Sequence, residues 1–132
     1  MDTMFEQVGK QGFMGHSGGF EFRRVSTAEF AFRAAVREIH LNAGGICHGG
    51  YLMTLLDSGM GSAVYRALGG DKRIATISLD VKFVAAARIG NPLAGSATII
   101  RITRSLVFVR GELQQQGKVV ATAEGVWKIL SR

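Results

Sequence analysis

The sequence of 132 residues holds a single cysteine, Cys47. No disulfide can close within the chain, and no CxxC metal or redox motif exists. Long apolar runs are missing too: none reaches the roughly 18 to 20 residues needed to cross a bilayer. The first residues, MDTMFEQVGK, lack the charged-then-apolar layout of a signal peptide. These absences set the expectation of a soluble, cytoplasmic protein without membrane contact. Runs of one charge are also lacking. The excess of 16 Lys and Arg over 10 Asp and Glu, a formal charge of +6, is spread out, with only pairs such as Arg23-Arg24 and Lys72-Arg73. With no basic arm or recognition helix, nucleic acid is not an expected partner. Internal repeats and low-complexity segments are absent, and this length suits one compact domain, residues 1–132.

What is present reads as α+β. Residues Asp2–Phe13 place Met4, Phe5, Val8 and Phe13 at loosely helical spacing, so a short helix is expected within an N-terminal extension of residues 1–17. From Glu29 to Val36, apolar residues alternate as in a strand with one buried face. Tyr51–Leu68 is apolar on nearly all sides and is closed by Gly69-Gly70, the pattern of a long buried helix with a glycine stop. Beyond it Ala75, Ile77, Leu79, Val81 and Phe83 alternate with Thr76, Ser78, Asp80 and Lys82. Further strands read over Leu93–Ile102, Leu106–Gln115 and Val119–Leu130. The expectation is one long helix against about five strands, the last four forming an antiparallel meander. A lone protomer would leave an edge strand and part of the helix uncovered, which edge-to-edge pairing of two copies would cover.

The segment Asn42–Gly61, NAGGICHGGYLMTLLDSGMG, carries the chemistry. Gly49 and Gly50 stand where the helix begins, and the first turn of a helix offers unpaired N–H groups and a partial positive charge. Glycine there lets a carbonyl approach the backbone; the alternative is a tight loop-to-helix turn and nothing more. Asp57 interrupts the apolar helix, where an unpaired buried carboxylate is costly. Either it pairs with a group such as Arg66, Lys82 or a backbone N–H, or it lines a cleft as a general base or nucleophile. Eight residues separate Gly49 from Asp57, which puts them on nearly one face but about 12 Å apart along the axis. If two helices run antiparallel across a two-fold axis, Asp57 of one meets the start of the other, so the active unit is expected to be at least a dimer. Cys47 beside His48 is a weak candidate nucleophile pair, because sequence neighbours do not generally face each other. His16 and His40 are far from ligand-spaced partners, so no metal is expected, and Trp127 alternates with Val119, Ala121 and Ala123 as core.

Asn42-Ala43-Gly44-Gly45-Ile46-Cys47-His48-Gly49-Gly50, followed by Asp57, resembles the N-x-x-G-x-x-H-G-G-x6-D signature of hotdog-fold thioesterases of the phenylacetic-acid-degradation (PaaI-like) group. TISLDVKFVAAARIGNPL is similar to that family's next strand and turn, and the resemblance covers about residues 18–130. It implies one long central helix wrapped by a curved antiparallel sheet of five to six strands. It also implies hydrolysis of an acyl-CoA thioester, with an aryl or a medium fatty acyl group, without a cofactor. By position Asp57 would activate water or attack the thioester, and Gly49 N–H would polarise the carbonyl. Asn42 would orient water or thioester, His48 would hold the loop or assist at sulfur, and Ser78 would contact the nucleophilic water. The family often has proline where this chain has Ala43. A dimer of dimers, a homotetramer, is usual in the family. Basic residues among Lys82, Arg88, Arg101, Arg104 and Arg110 could meet the CoA phosphates. A hotdog hydratase or dehydratase would need a histidine opposed to the carboxylate, for which His48 is the candidate. A non-catalytic acyl-CoA binder would keep the pocket without needing Asp57.

Overall fold

A computed structural model describes residues 3–131. Two short strands open the chain, β1 (Glu6–Val8) and β2 (Phe20–Arg24), with a one-turn helix α1 (Gly12–His16) between them. β3 (Glu29–Ala34) and a single 3-10 turn at Glu38–His40 lead to the long helix α2 (Gly49–Ala67). Four long strands finish the chain: β4 (Arg73–Phe83), β5 (Leu93–Ile102), β6 (Leu106–Gln115) and β7 (Lys118–Ser131). All seven strands form one antiparallel sheet in the order β1-β2-β3-β5-β6-β7-β4.

Three expectations are corrected here. The sheet has seven strands rather than five or six, because β1 and β2 extend it beyond β3. The expected helix over residues 2–13 is absent at Glu6–Val8, where the chain pairs with Phe20–Phe22, and helix is confined to Gly12–His16; Asp2 lies outside the described residues. Only β5, β6 and β7 form a meander: β4 pairs with β7 at the far edge, and residues 84–92 carry the chain across to β5.

Helix α2 starts and stops for visible reasons. His48 is extended and its Nδ1 accepts the Gly50 N–H, capping the first turn. At the other end Gly69 N–H donates to Arg66 O and Gly70 N–H to Tyr65 O, the Schellman pattern, with positive φ at both glycines. Leu52, Leu55, Leu56, Met60, Ala63 and Val64 are buried against the concave side of the sheet. The helix is not buried all round: Met53 and Tyr65 are exposed and Asp57 is half-buried on its open side. Trp127 packs in the core, as its alternation with Ala121 and Ala123 predicts.

β4 departs from simple alternation. Thr76 stands opposite Trp127 and Ser78 opposite Val126, so Ile77 is an extra residue in a bulge. The bulge reverses which residues face the helix. Ile77 is consequently 57% exposed, whereas Leu79 and Val81 pack on the core.

Candidate active site at the start and middle of helix α2

Asn42 builds the loop that leads into α2. Its Oδ1 accepts N–H bonds from Gly44 at 2.9 Å and Ile46 at 3.3 Å, while its own N–H and C=O bond Ile46 and Gly45. Gly45, at φ 81°, supplies the left-handed turn this closure requires. Cys47 N–H donates to Ala87 O at 2.8 Å, and His48 N–H donates to His40 O at 2.7 Å, fastening the loop to both neighbouring segments.

These bonds leave one donor open. In the first turn of α2 the Gly50 N–H bonds His48 Nδ1, and the Tyr51 and Leu52 N–H groups both reach His48 O. Gly49 N–H has no partner among the described residues. It opens on a cleft of about 290 Å³ lined by Asn42, Ile46, Cys47, Leu52 and Phe83 and by residues 84–87. A Cβ at position 49 would stand 3.2 Å from the Phe83 ring, so glycine suits this wall. An unpaired N–H at a helix start, facing a cleft, can stabilise negative charge developing on an oxygen.

Asp57 lies two turns further along. Its Oδ1 accepts the Thr76 hydroxyl at 2.8 Å. Neither basic residue weighed from the sequence pairs with it: Arg66 bonds Glu6 and Lys82 bonds Asp80. The carboxylate is thus aimed by a neutral donor and keeps acceptor capacity for a water or a substrate group.

The same bulge separates Ser78 from Thr76. Ser78 stands on the other face of the sheet beside Asp80, Arg101 and Glu124, and Thr76 occupies the position at Asp57. Asn42 and Gly49 are brought together in one cleft. His48 turns instead to a neighbouring cleft with His16, Ser17, Tyr51 and Thr54. Its Nδ1 is already an acceptor for Gly50, so in the neutral ring the proton sits on Nε2.

The basic candidates separate. Lys82 and Arg110 pair with Asp80 at 2.8 Å and Glu124 at 3.7 Å on the outer sheet face, where Arg101 also lies. Arg104 is in the β5–β6 turn, at the opposite end of β5 from Arg88.

His40 is a structural part of the site that sequence spacing does not mark. Its ring stacks on Tyr51 at 3.5 Å, Nδ1 accepts Arg37 N–H at 2.9 Å, and Nε2 donates to Ser17 O at 2.7 Å. Burial holds its pKa below the ordinary 6.5, although the Ser17 bond opposes the shift. The unfolded chain therefore takes up a proton near pH 6.5 that the folded chain refuses, so stability is full above that pH and declines as pH falls below it. Melting temperature should drop between pH 6.5 and 5.5, with a shallower slope in His40→Gln; equal slopes would remove His40 as the cause. Burial also pushes Cys47 up to about 11 and Tyr51 to about 12, which leaves the thiol protonated at neutral pH and unsuited to nucleophilic attack. Among the described residues no group of three or more His, Cys, Asp or Glu could hold a metal, and no helix is long and apolar enough to cross a membrane.

Comparison with known proteins places this geometry in a family. A model described as "Thioesterase superfamily" matches residues 44–122. The "Putative esterase PA0474" of Pseudomonas aeruginosa is 29% identical over 112 residues, covering 85% of this chain and 84% of that protein. A Ralstonia eutropha structure described as a "putative thioesterase, phenylacetic acid degradation-related protein" is 29% identical with a TM-score of 0.81, covering 92% of this chain and 94% of that one. A mutant of the phenylacetic acid degradation protein PaaI of Thermus thermophilus, 24% identical, shares the fold with a TM-score of 0.78 over 87% of this chain and 96% of that one. The family match spans more than half of the sequence, and the chain, which shares its fold with these solved structures, belongs to the thioesterase superfamily.

Proposed function

We propose that the protein is an acyl-CoA thioesterase, cleaving an aryl or medium-chain acyl-CoA to the free acid and CoA in sites shared between two copies of the chain. The observation that carries the reading is the unpartnered Gly49 N–H facing a cleft, on the helix that also holds a half-open carboxylate at Asp57. The N–H polarises the thioester carbonyl and takes the charge of the tetrahedral oxygen. Asp57, oriented by Thr76, either takes a proton from the attacking water and passes it to the departing CoA sulfur, or adds to the carbonyl itself and expels CoA thiolate, leaving a mixed anhydride that water then cleaves to the free acid. Asn42 fixes the loop that sets the Gly49 donor, and His48 fixes the first turn.

One chain does not bring these groups together, since eight residues of helix separate them by about 12 Å. The open side of α2 and the unpaired edge of β4 supply the meeting surface. Around that edge Ile77, Phe83 and Val84 are each more than half exposed, the composition of a face that a second copy would cover. Two copies joined there with α2 antiparallel set each Asp57 against the other's Gly49. A further doubling to a tetramer is what the family resemblance implies, and light scattering of the purified protein distinguishes dimer from tetramer.

Release of free CoA from a panel of aryl-CoA and fatty acyl-CoA esters tests the reading; no turnover on any ester overturns it in favour of an acyl-CoA binder or a hydratase. Thr76→Val should lower kcat/KM about 10- to 100-fold, because a hydrogen bond to a charged group is lost, while Thr76→Ser, which keeps the hydroxyl, recovers most of it. Equal activity in Thr76→Val would show that Asp57 needs no aiming.

A further inference from the structure

Trp127 is 2% exposed, yet its indole N–H makes no hydrogen bond among the described residues. A buried indole ordinarily finds an acceptor. The ring lies over Gly125 of β7, where a Cβ would stand 2.5 Å from Cζ3, and turns its Nε1 edge to Gly61 of α2, where a Cβ would stand 3.3 Å from the nitrogen. Gly61 has no side chain to cover the nitrogen, which is therefore not sealed from solvent.

That gap lies beside the carboxylate. Gly61 follows Asp57 by four residues, so the two share nearly one face of α2 and stand about 6 Å apart along the axis. Thr76, which aims Asp57, is the cross-strand partner of Trp127. Toward its start the open side of the helix carries Met53 and Thr54. Toward its end it carries Ser58, Gly61 and Ser62 and opens on a cleft of about 330 Å³, with Met14, Phe20 and Tyr65 on its walls. An apolar cavity of about 150 Å³ already admits benzene, so an aromatic ring fits here with room for a substituent.

We infer that Trp127 is a specificity residue for the acyl group: its indole N–H, reached through the gap at Gly61, binds an oxygen acceptor at the far end of an aryl acyl group. The inference rests on the thioesterase reading in placing the acyl carbonyl at Asp57. From there the axial step of about 6 Å to Gly61 matches the reach of a benzoyl group to an oxygen in the para position. An alkyl-substituted ring or a saturated chain would bury the donor without a partner, which is the costly case.

The esters 4-methoxybenzoyl-CoA and 4-ethylbenzoyl-CoA share a shape and differ in the acceptor. With each rate divided by that of cleavage by hydroxide, the wild type should favour the methoxy ester about fivefold in kcat/KM, and Trp127→Phe should reduce this to below about twofold. Gly61→Ala should do the same by covering the nitrogen; it leaves the core ring in place, so it carries the test even where Trp127→Phe does not fold. No preference in the wild type, an undiminished one in Gly61→Ala, or its loss in Tyr65→Phe or Ser62→Ala instead would each overturn the assignment.

A second readout needs no turnover. The chain has one tryptophan, so the indole N–H gives a single proton–nitrogen NMR signal. Thioether analogues of the two esters, with a methylene between carbonyl and sulfur, cannot be hydrolysed. The methoxy analogue should move the signal downfield and the ethyl analogue should not. Equal responses to both, or none to either, as a contact with the second copy would produce, overturn the assignment. The two readings fail separately: a selective indole shift without cleavage of any ester rejects the thioesterase, and cleavage without the methoxy preference rejects the role of Trp127.

Discussion

Asp57→Asn should lower kcat/KM for CoA esters about a thousandfold, the scale expected when a general base or carboxylate nucleophile is lost. Asparagine keeps the size of the side chain and its Oδ1 can still accept the Thr76 hydroxyl, so the fold and the assembly should be unchanged by melting and light scattering. Gly49→Pro gives a matching test of the other half-site. Proline is well suited to the first position of a helix, and His48 already has the extended φ of −63° and ψ of 134° that a following proline favours. The Gly49 N–H makes no bond among the described residues, so proline removes the proposed oxyanion donor at no cost in helix hydrogen bonds. A Cβ at position 49 meets only the Phe83 side chain, which is 54% exposed. A loss of about 100- to 1000-fold in kcat is expected.

Mixing the two inactive chains separates a shared site from a site within one chain. If Asp57 and Gly49 act across the interface, a heterodimer of Asp57→Asn with Gly49→Pro has one site carrying both lesions and one carrying neither. Random reassociation of equal amounts then restores about a quarter of wild-type activity, from half of the dimers with half of their sites. No recovery would place both groups in the same protomer's site, against the spacing of about 12 Å along α2.

The sequence made the long helix and the last three strands legible because their signals are local. A nineteen-residue apolar segment ended by two glycines, and strands ended by short turns, need no knowledge of distant partners. The place of β4 was not legible, since pairing with β7 rather than β5 is a long-range choice that alternation cannot encode. Within β4 the single extra residue at Ile77 sets Thr76 and Ser78 apart. Counting by twos puts Ser78 on the polar face, whereas the bulge turns Thr76 to Asp57. Asp57 and Gly49 stood out because a carboxylate in an apolar helix and glycines at its start are chemically out of place without a use. His40 gave no such sign; its stack on Tyr51 and its bond to Ser17 exist only once the chain has folded.

The support beneath Asp57 leads to the largest expected loss of stability. The Phe32 ring is wedged between Gly59 of α2 and Gly95 of β5: a Cβ at Gly59 would meet it at 2.6 Å, and one at Gly95 would fall within 2.5 Å. Phe32 is 1% exposed, so the helix is held off the sheet by the thickness of one buried ring, two residues from Asp57. Phe32→Ala should cost about 3 to 5 kcal/mol by removing that ring and leaving a void. Gly95→Ala should cost about 1 to 3 kcal/mol by the opposite fault, crowding a ring that has no free space to enter. The two faults share a cause, so they should not add. In Gly95→Ala/Phe32→Leu the smaller, flexible leucine vacates part of the space the new methyl needs, and chemical denaturation should show a loss below the sum of the single variants. Strict additivity would mean that the backbone, rather than the Phe32 ring, yields to the methyl at position 95. It would also mean that the height of α2 above the sheet, and with it the reach of Asp57, is set elsewhere.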